Sequence, residues 1–181
     1  MKKLSIFVTL CIAIIGCSSN SQDPYITKED IAINEILNNY AIWVEKEYQI
    51  YPIGTTVGMP NGVLRIMGVD FESYGIITKQ EAREIVINSS QKLLSMINSE
   101  ATLQDCLITR PFKIKNITMR IFINDINGND TICDPLISTV RFDDGCFEYI
   151  TTIQVNDIPN IVSRSKESYD GAVEALKNQK L

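Results

Sequence analysis

The sequence predicts an α+β domain in which helices pack on one face of a mainly antiparallel sheet. Three observations predict this class. Two long segments repeat apolar residues at helical spacing, a later segment alternates strictly between apolar and polar residues, and two further strand-like segments follow it about a tight turn. We therefore expect a three-stranded meander in the C-terminal half, and 181 residues are enough for one domain with its own core.

The first predicted helix begins near Thr27, where Asp30 completes a capping box three positions later. Apolar residues recur at near-helical spacing as far as Tyr48, and Pro52 ends the pattern. In the segment 54–62, three glycines and a proline favour an ordered loop. Because ordered loops commonly carry function, this segment is our candidate binding loop. Its candidate residues are Gly54, Gly58, Asn61 and Gly62.

A strand and a second helix are predicted after this loop. The segment from Val63 to Phe71 mixes apolar, polar and β-branched residues, which favours a strand, and Gly68 marks a candidate bulge within it. Thr78 and Glu81 form a second capping box. The strong amphipathic stripe that follows predicts a helix to about residue 98.

The predicted meander starts with the alternating segment 117–123. Two further strands, 136–142 and 146–155, are expected about a turn at Asp143-Asp144-Gly145. Pro159 breaks the strand pattern, and a final helix is predicted over 163–180. The start of this helix also matches the Ser-x-x-Lys motif of penicillin-binding proteins, but the chain lacks the partner motifs Ser-Asp-Asn and Lys-Thr-Gly, so we interpret it as a helix start.

The N-terminus has the three parts of a signal peptide. Lys2 and Lys3 are a cationic start, the apolar run 4–15 follows, and the small residue Gly16 precedes Cys17. The apolar run is shorter than the roughly 20 residues that a stable membrane-spanning helix requires. The segment is therefore predicted to direct export and not to remain as a permanent span.

The motif Ile14-Ile15-Gly16-Cys17 resembles the lipobox of bacterial lipoproteins, with Ile14 where the family most often has Leu. The resemblance implies that residues 1–16 are removed and that Cys17 is acylated, so that lipid joins the protein to the membrane. Residues 17–25 would then form a lipidated tether and residues 26–181 a single domain.

The same resemblance implies a place in the cell envelope, facing the periplasm or the cell surface. Ser18, which follows the cysteine, favours the outer over the inner membrane in a Gram-negative lineage. Without the two lysines of the signal, the mature chain has 15 basic and 22 acidic residues, a net charge of −7. This acidity argues against a nucleic-acid partner.

Three cysteines remain in the mature domain, and three cannot all pair. We expect Cys106, Cys133 and Cys146 to be buried thiols; the alternative is one disulfide and one free cysteine. On the predicted hairpin, Cys146 would lie opposite Phe142 and Cys133 near Val155, which is too far apart for a disulfide.

Two hypotheses of function follow. The chain has no histidine, which removes the commonest general base and zinc ligand, and we assign no catalytic residue, metal ligand or cofactor. The first hypothesis is thus a non-catalytic envelope lipoprotein that binds a protein or another envelope component. The alternative is a small-ligand binder or hydrolase with a cleft near the 54–62 loop. Its candidate carboxylates and aromatic residues are Asp70, Glu72, Trp43, Tyr48, Tyr51 and Tyr74.

Overall fold

The computed structural model describes residues 26–125, 137–156 and 158–178, and these form three α-helices, three short 3-10 helices and one six-stranded sheet. The helices are α1 (Lys28–Tyr48), α2 (Lys79–Ser99) and α3 (Tyr169–Asn178). The strands are β1 (Tyr51–Gly58), β2 (Ile66–Tyr74), β3 (Ile117–Asn124), β4 (Thr139–Asp143), β5 (Cys146–Val155) and β6 (Ile158–Ser168). The predicted signal peptide, Cys17, the tether and Cys133 lie outside the described residues.

The strands lie in the sheet in chain order, from β1 to β6. Strands β2 and β3 are parallel, with α2 in the connection between them, and every other neighbouring pair is antiparallel. Parallel neighbours require a long crossover of this kind, whereas antiparallel neighbours need only a short turn. The predicted α+β class and the antiparallel series β3, β4 and β5 are confirmed.

Both long helices begin at the capping boxes that the sequence predicts. The side chain of Thr27 accepts a hydrogen bond from the backbone N–H of Asp30 (3.1 Å), and the Asp30 carboxylate accepts one from the backbone N–H of Thr27 (2.9 Å). Thr78 and Glu81 repeat this arrangement at the start of α2. Two backbone donors that lack a partner within the helix are thereby satisfied at each start, which sets the first residue of each helix.

The core lies between the helices and one face of the sheet. Alternate residues of β3 and β2 point to this face, and their apolar side chains are buried. The helices contribute stripes of buried residues that meet them. The largest buried side chains include Tyr40, Phe71, Phe112, Phe142 and Phe147.

Gly68 occupies a place where two strands approach closely, and the bulge suggested for it is wrong. A Cβ atom at this position would lie 1.8 Å from the carbonyl oxygen of Thr118 on β3. Only glycine fits such an approach. The register shift in this part of the sheet lies in β1, between Pro52 and Gly54.

The predicted loop at 54–62 is largely a strand, so this prediction is wrong. Gly54 and Gly58 belong to β1, which pairs with β2 along one edge of the sheet. Asn61 and Gly62 form the turn that follows, both with positive φ (54° and 74°). An edge strand tolerates the proline and glycines that the sequence pattern interpreted as a loop, because one side of it makes no ladder hydrogen bonds.

The segment 163–168 is also a strand, although the sequence predicted a helix from residue 163. It belongs to β6, the other edge of the sheet, where Ser163 pairs with Thr151 and Ser165 with Tyr149. The helix begins only at Tyr169, whose backbone N–H donates to the carbonyl of Gly145 (2.9 Å). Pairing with β5 outweighs the local helical pattern of this segment.

The turn between β4 and β5 is one residue shorter than predicted. Asp144 and Gly145 both have positive φ (48° and 70°), which is typical of a two-residue hairpin turn. Cys146 is therefore opposite Asp143 and not Phe142. The outward-facing position exposes Cys146, so the prediction of a buried thiol is wrong for this residue, whereas Cys106 is half-buried; both are free.

Candidate functional site

A groove of about 420 Å³ lies where the end of α1, the end of β2 and the first turns of α2 meet. The helices α1 and α2 are antiparallel, since the first turns of α1 lie beside the last turns of α2 at the opposite end. A helix of 21 residues spans about 30 Å. We call this the distal groove, because α1 separates it from Ile26, where the described chain begins. Its lining residues are Glu47, Tyr48, Gln49, Ser73, Tyr74, Gly75, Ile76, Ile77, Glu81, Glu84 and Ile85.

Aromatic and aliphatic side chains form the wall of the distal groove. Tyr48 is supported from behind by Trp43, whose ring meets it edge-on at 5.8 Å, and Tyr74 packs against Tyr51 at 5.9 Å. Ile76, in the connection between β2 and α2, is 66% exposed, and Tyr74 is 49% exposed. The rings are held by neighbours on one side and open to solvent on the other, so their surfaces are available to a ligand.

Three carboxylates, Glu47, Glu81 and Glu84, line the distal groove, and none of its described lining residues is a lysine or arginine. The pKa of Tyr48 is raised, chiefly by burial; a hydrogen bond with Asn88 lowers it, and the negative charges of Glu47 and Glu84 raise it. The Glu81 carboxylate caps α2 by accepting from the backbone and hydroxyl of Thr78 (2.8 and 2.7 Å), which lowers the pKa of Glu81. The lining is therefore negatively charged.

The hydroxyl of Tyr74 lies at the rim of the distal groove. It donates a hydrogen bond to the carboxylate of Glu72 (2.7 Å), and this bond raises the pKa of Tyr74. Tyr48 and Tyr74 thus both keep their protons at neutral pH. They can offer ring surface to a ligand, and neither is prepared to act as a base.

The candidate loop residues do not line the distal groove. Gly58 pairs with Ile66 at the start of β2, whereas the groove lies where β2 ends, and Asn61 and Gly62 lie beyond Gly58 in the chain. Binding by these residues stays a prediction. Of the predicted aromatic residues, Tyr48 and Tyr74 line the groove, and Tyr51 and Trp43 support them.

Asp70 and Glu72, the predicted carboxylates, lie on the face of the sheet opposite the helices. Glu72 reaches only the rim, through Tyr74, while Asp70 forms an ion pair with Arg120 of β3. The carboxylates that do line the groove were missed. Glu81 and Glu84 come from the first turns of α2 and Glu47 from the last turn of α1, and no local pattern in the sequence shows that these turns meet.

The sheet face opposite the helices, which we call the open face, carries a row of charges across five strands. Its register aligns Asp70, Arg120, Arg141, Glu148 and Lys166. Arg120 pairs with Asp70, Arg141 with Asp143 (2.6 Å), and Glu148 with both Arg164 and Lys166 (3.6 Å each). Arg120 and Arg141 are neighbours of like charge, but each of them has its own acidic partner, and pairing of this kind is typical of a solvated surface.

A part-buried clasp attaches α2 to the edge strand β6. Arg83 donates to both carboxylate oxygens of Glu167 (2.8 and 3.0 Å), and the Tyr149 hydroxyl donates to the same carboxylate. Lys79 lies over the Tyr149 ring, 4.4 Å from its centroid, and donates to Ser165 (3.2 Å). The clasp fixes the first turns of α2, which carry Glu81 and Glu84 of the distal groove.

No protein-family model, curated protein or solved structure matches this chain. Within residues 26–125, 137–156 and 158–178, no helix is long and apolar enough to cross a membrane. In this part of the chain, no three or more Cys, Asp or Glu side chains are grouped so as to hold a metal ion. The arrangement of the distal groove is therefore the basis on which a function is proposed.

Proposed function

We propose that this chain is a lipid-anchored protein of the cell envelope whose domain binds a partner, a protein or another envelope component, in the distal groove. The observation that carries the proposal is the exposure of Ile76 and Tyr74, 66% and 49%, beside a cavity of about 420 Å³. Large apolar side chains that remain exposed in a concave surface are typical of interaction sites. Tyrosine also supplies contact area at a low cost in conformational entropy.

The lipobox supports the membrane attachment in this proposal. A lipid on Cys17 would join the membrane to the domain through residues 17–25, close to the start of α1. The distal groove lies about 30 Å away at the other end of α1. Such an anchor leaves the groove accessible, so the domain would present it to partners in the envelope space.

The groups in the distal groove favour binding over catalysis. The carboxylate of Glu81 is occupied with the cap of α2, and the hydroxyls of Tyr48 and Tyr74 have raised pKa values. These groups serve better as a recognition surface than as acids, bases or nucleophiles near neutral pH. A small-ligand binder or hydrolase is the second candidate, because the cavity volume falls within the roughly 300–1,000 Å³ of small-molecule sites.

The test is in-cell crosslinking and affinity capture of the tagged, lipidated full chain, with mass spectrometry. Tyr74→Ala and Ile76→Ser are compared with Ile53→Ser, whose side chain is 50% exposed on β1, and with Cys17→Ala. We expect a discrete partner with the wild type and Ile53→Ser and its loss with both groove variants and Cys17→Ala. Equal capture by every variant would contradict the proposal; a bound small molecule in place of a protein would favour the second candidate.

A further inference from the structure

The charge of the distal groove indicates which chemical class of ligand it would bind. Glu47, Glu81 and Glu84 come from two helices and face one cavity, and its described lining includes no basic residue. Burial is the main cause of the raised pKa of the Tyr48 hydroxyl; a hydrogen bond with Asn88 lowers this pKa, and the charges of Glu47 and Glu84 both raise it. A cation placed beside Tyr48 would be stabilised by the same charges that disfavour a tyrosinate there.

The nearest cations of α2 are held elsewhere. Arg83 lies between Glu81 and Glu84 in the chain, but its guanidinium is bound to Glu167 on β6. Lys79 is directed to the Tyr149 ring and Ser165. The first turns of α2 thus direct their basic side chains to the sheet and acidic side chains to the distal groove.

Tyrosine rings add a second attraction for a cation. The negative face of an aromatic ring binds a guanidinium or ammonium group, and arginine also stacks on such rings. Tyr48 and Tyr74 offer this surface beside the carboxylates, while Ile76 offers apolar surface at the rim. The combination is complementary to a basic side chain flanked by apolar ones, and it is unfavourable for an anionic ligand.

We infer that the occupant of the distal groove is a basic peptide segment of a partner protein, with an arginine or lysine between Tyr48 and Tyr74 that reaches toward Glu47 and Glu84, and an apolar neighbour on Ile76. This inference rests on the proposed function and specifies its partner class. Recognition by charge would accelerate encounter and weaken with salt, because the carboxylates act through partly solvated space.

The experiment uses the lipidated full chain in nanodiscs of zwitterionic lipid. The probes are blocked hexapeptides that alternate leucine with arginine, with glutamine or with glutamate, and empty nanodiscs are the blank. Calorimetry measures binding, and the fluorescence of Trp43, the single tryptophan, reports on the site because its ring contacts Tyr48. We expect the arginine peptide to bind at least tenfold more tightly than the glutamine peptide.

Two groove variants and one matched control complete the experiment. Glu47→Gln and Glu84→Gln should each weaken binding of the arginine peptide at least threefold, and higher salt should weaken it in the wild type. Glu35→Gln removes the same charge from α1 near its other end and should leave affinity unchanged. Equal binding of the arginine and glutamine peptides, or no loss in either groove variant, would overturn the basic-peptide class.

The outcomes separate this inference from the proposed function. If no peptide binds but a partner is still captured through Tyr74 and Ile76, the partner class is wrong and docking in the distal groove stands. If the glutamate peptide binds best, the class is likewise wrong. If no peptide binds and capture is insensitive to Tyr74→Ala, both the inference and the proposed function are wrong.

Discussion

The open face of the sheet and the distal groove are both rich in charged side chains, yet their charges are arranged differently. On the open face, every member of the row from Asp70 to Lys166 has an opposite charge within reach. In the groove, carboxylates from two helices line the same cavity as two tyrosine rings, and the described lining has no basic residue. The two surfaces thus differ in the sign and grouping of their charges and not in the presence of charge, and for this reason we propose the groove, and not the open face, as the binding surface.

The largest expected effect is a loss of stability when Gly68, on the open face, is substituted. Gly68→Ala would place a Cβ atom 1.8 Å from the Thr118 carbonyl oxygen, so β2 and β3 would have to separate. We expect a loss of about 3 kcal/mol in the free energy of unfolding, measured by urea denaturation. Gly54→Ala is the matched control, because nothing lies within 4 Å of its added methyl group. Similar stability of the two variants would contradict the packing described for β2 and β3.

A change in the clasp should affect both the stability of the fold and binding in the groove. Arg83→Ala leaves the Glu167 carboxylate without its two guanidinium bonds, and we expect a loss of about 2 kcal/mol, since one partner of a largely buried ion pair is removed. Chemical denaturation measures it. Because the clasp positions the first turns of α2, binding of the arginine peptide should also weaken. Unchanged stability would show that α2 does not depend on this ion pair.

The groove variants should show the opposite pattern, with an effect on binding and little on stability. Tyr74→Ala removes an exposed ring, so we expect about tenfold weaker binding of the arginine peptide, close to 1.4 kcal/mol, with a stability change within about 0.5 kcal/mol. Calorimetry and denaturation measure the two quantities. Full affinity in this variant would place the binding surface elsewhere.

A smaller effect on stability is expected at low pH, where Glu167 becomes protonated. Burial raises the pKa of Glu167, but hydrogen bonds from Arg83 and Tyr149 lower it more, so the pKa lies below its usual value of 4.5. A carboxylate with a lowered pKa stabilises the fold above the unfolded value, and this contribution is lost as the pH falls through the folded pKa. Stability should therefore decline below pH 4.5, and less steeply in Glu167→Gln, when urea midpoints are compared across pH. An equally steep decline in both proteins would exclude Glu167 as a source.

The smallest effect is expected at the open-face charges. Arg141 and Asp143 are 50% and 39% exposed at their side chains, and exposed ion pairs contribute about 0–1 kcal/mol. Arg141→Gln should leave stability within this range and peptide binding unchanged. A marked loss of binding would indicate that the open face, and not the groove, is the binding surface.

The sequence predicts those parts of this fold that depend on local pattern. Both capping boxes, the stripes of α1 and α2 and the alternation of β3 are each confined to one segment, and each is confirmed. The edge strands β1 and β6 were missed because proline and glycine are tolerated there, and because pairing with a neighbour decides their structure. The predicted turn is one residue longer than the observed turn at Asp144-Gly145, and this difference shifts the expected position of Cys146.

The groove was predictable only in part for the same reason. Tyr48 and Tyr74 stand out by composition, and aromatic residues near a chain turn are reasonable ligand contacts. Glu47 and Glu84 become neighbours only through the antiparallel packing of α1 and α2. Neither helical segment contains a pattern that shows which turns of the other helix it contacts.

The most direct test of the central claim is site-specific photo-crosslinking in cells that express the full sequence. A photoreactive amino acid replaces Ile76 at the distal groove or Ile150 on the open face, in two otherwise identical proteins. We predict a discrete crosslinked partner from position 76 and none from position 150. A partner that crosslinks from position 150 and not from position 76 would contradict the assignment of the distal groove as the binding surface.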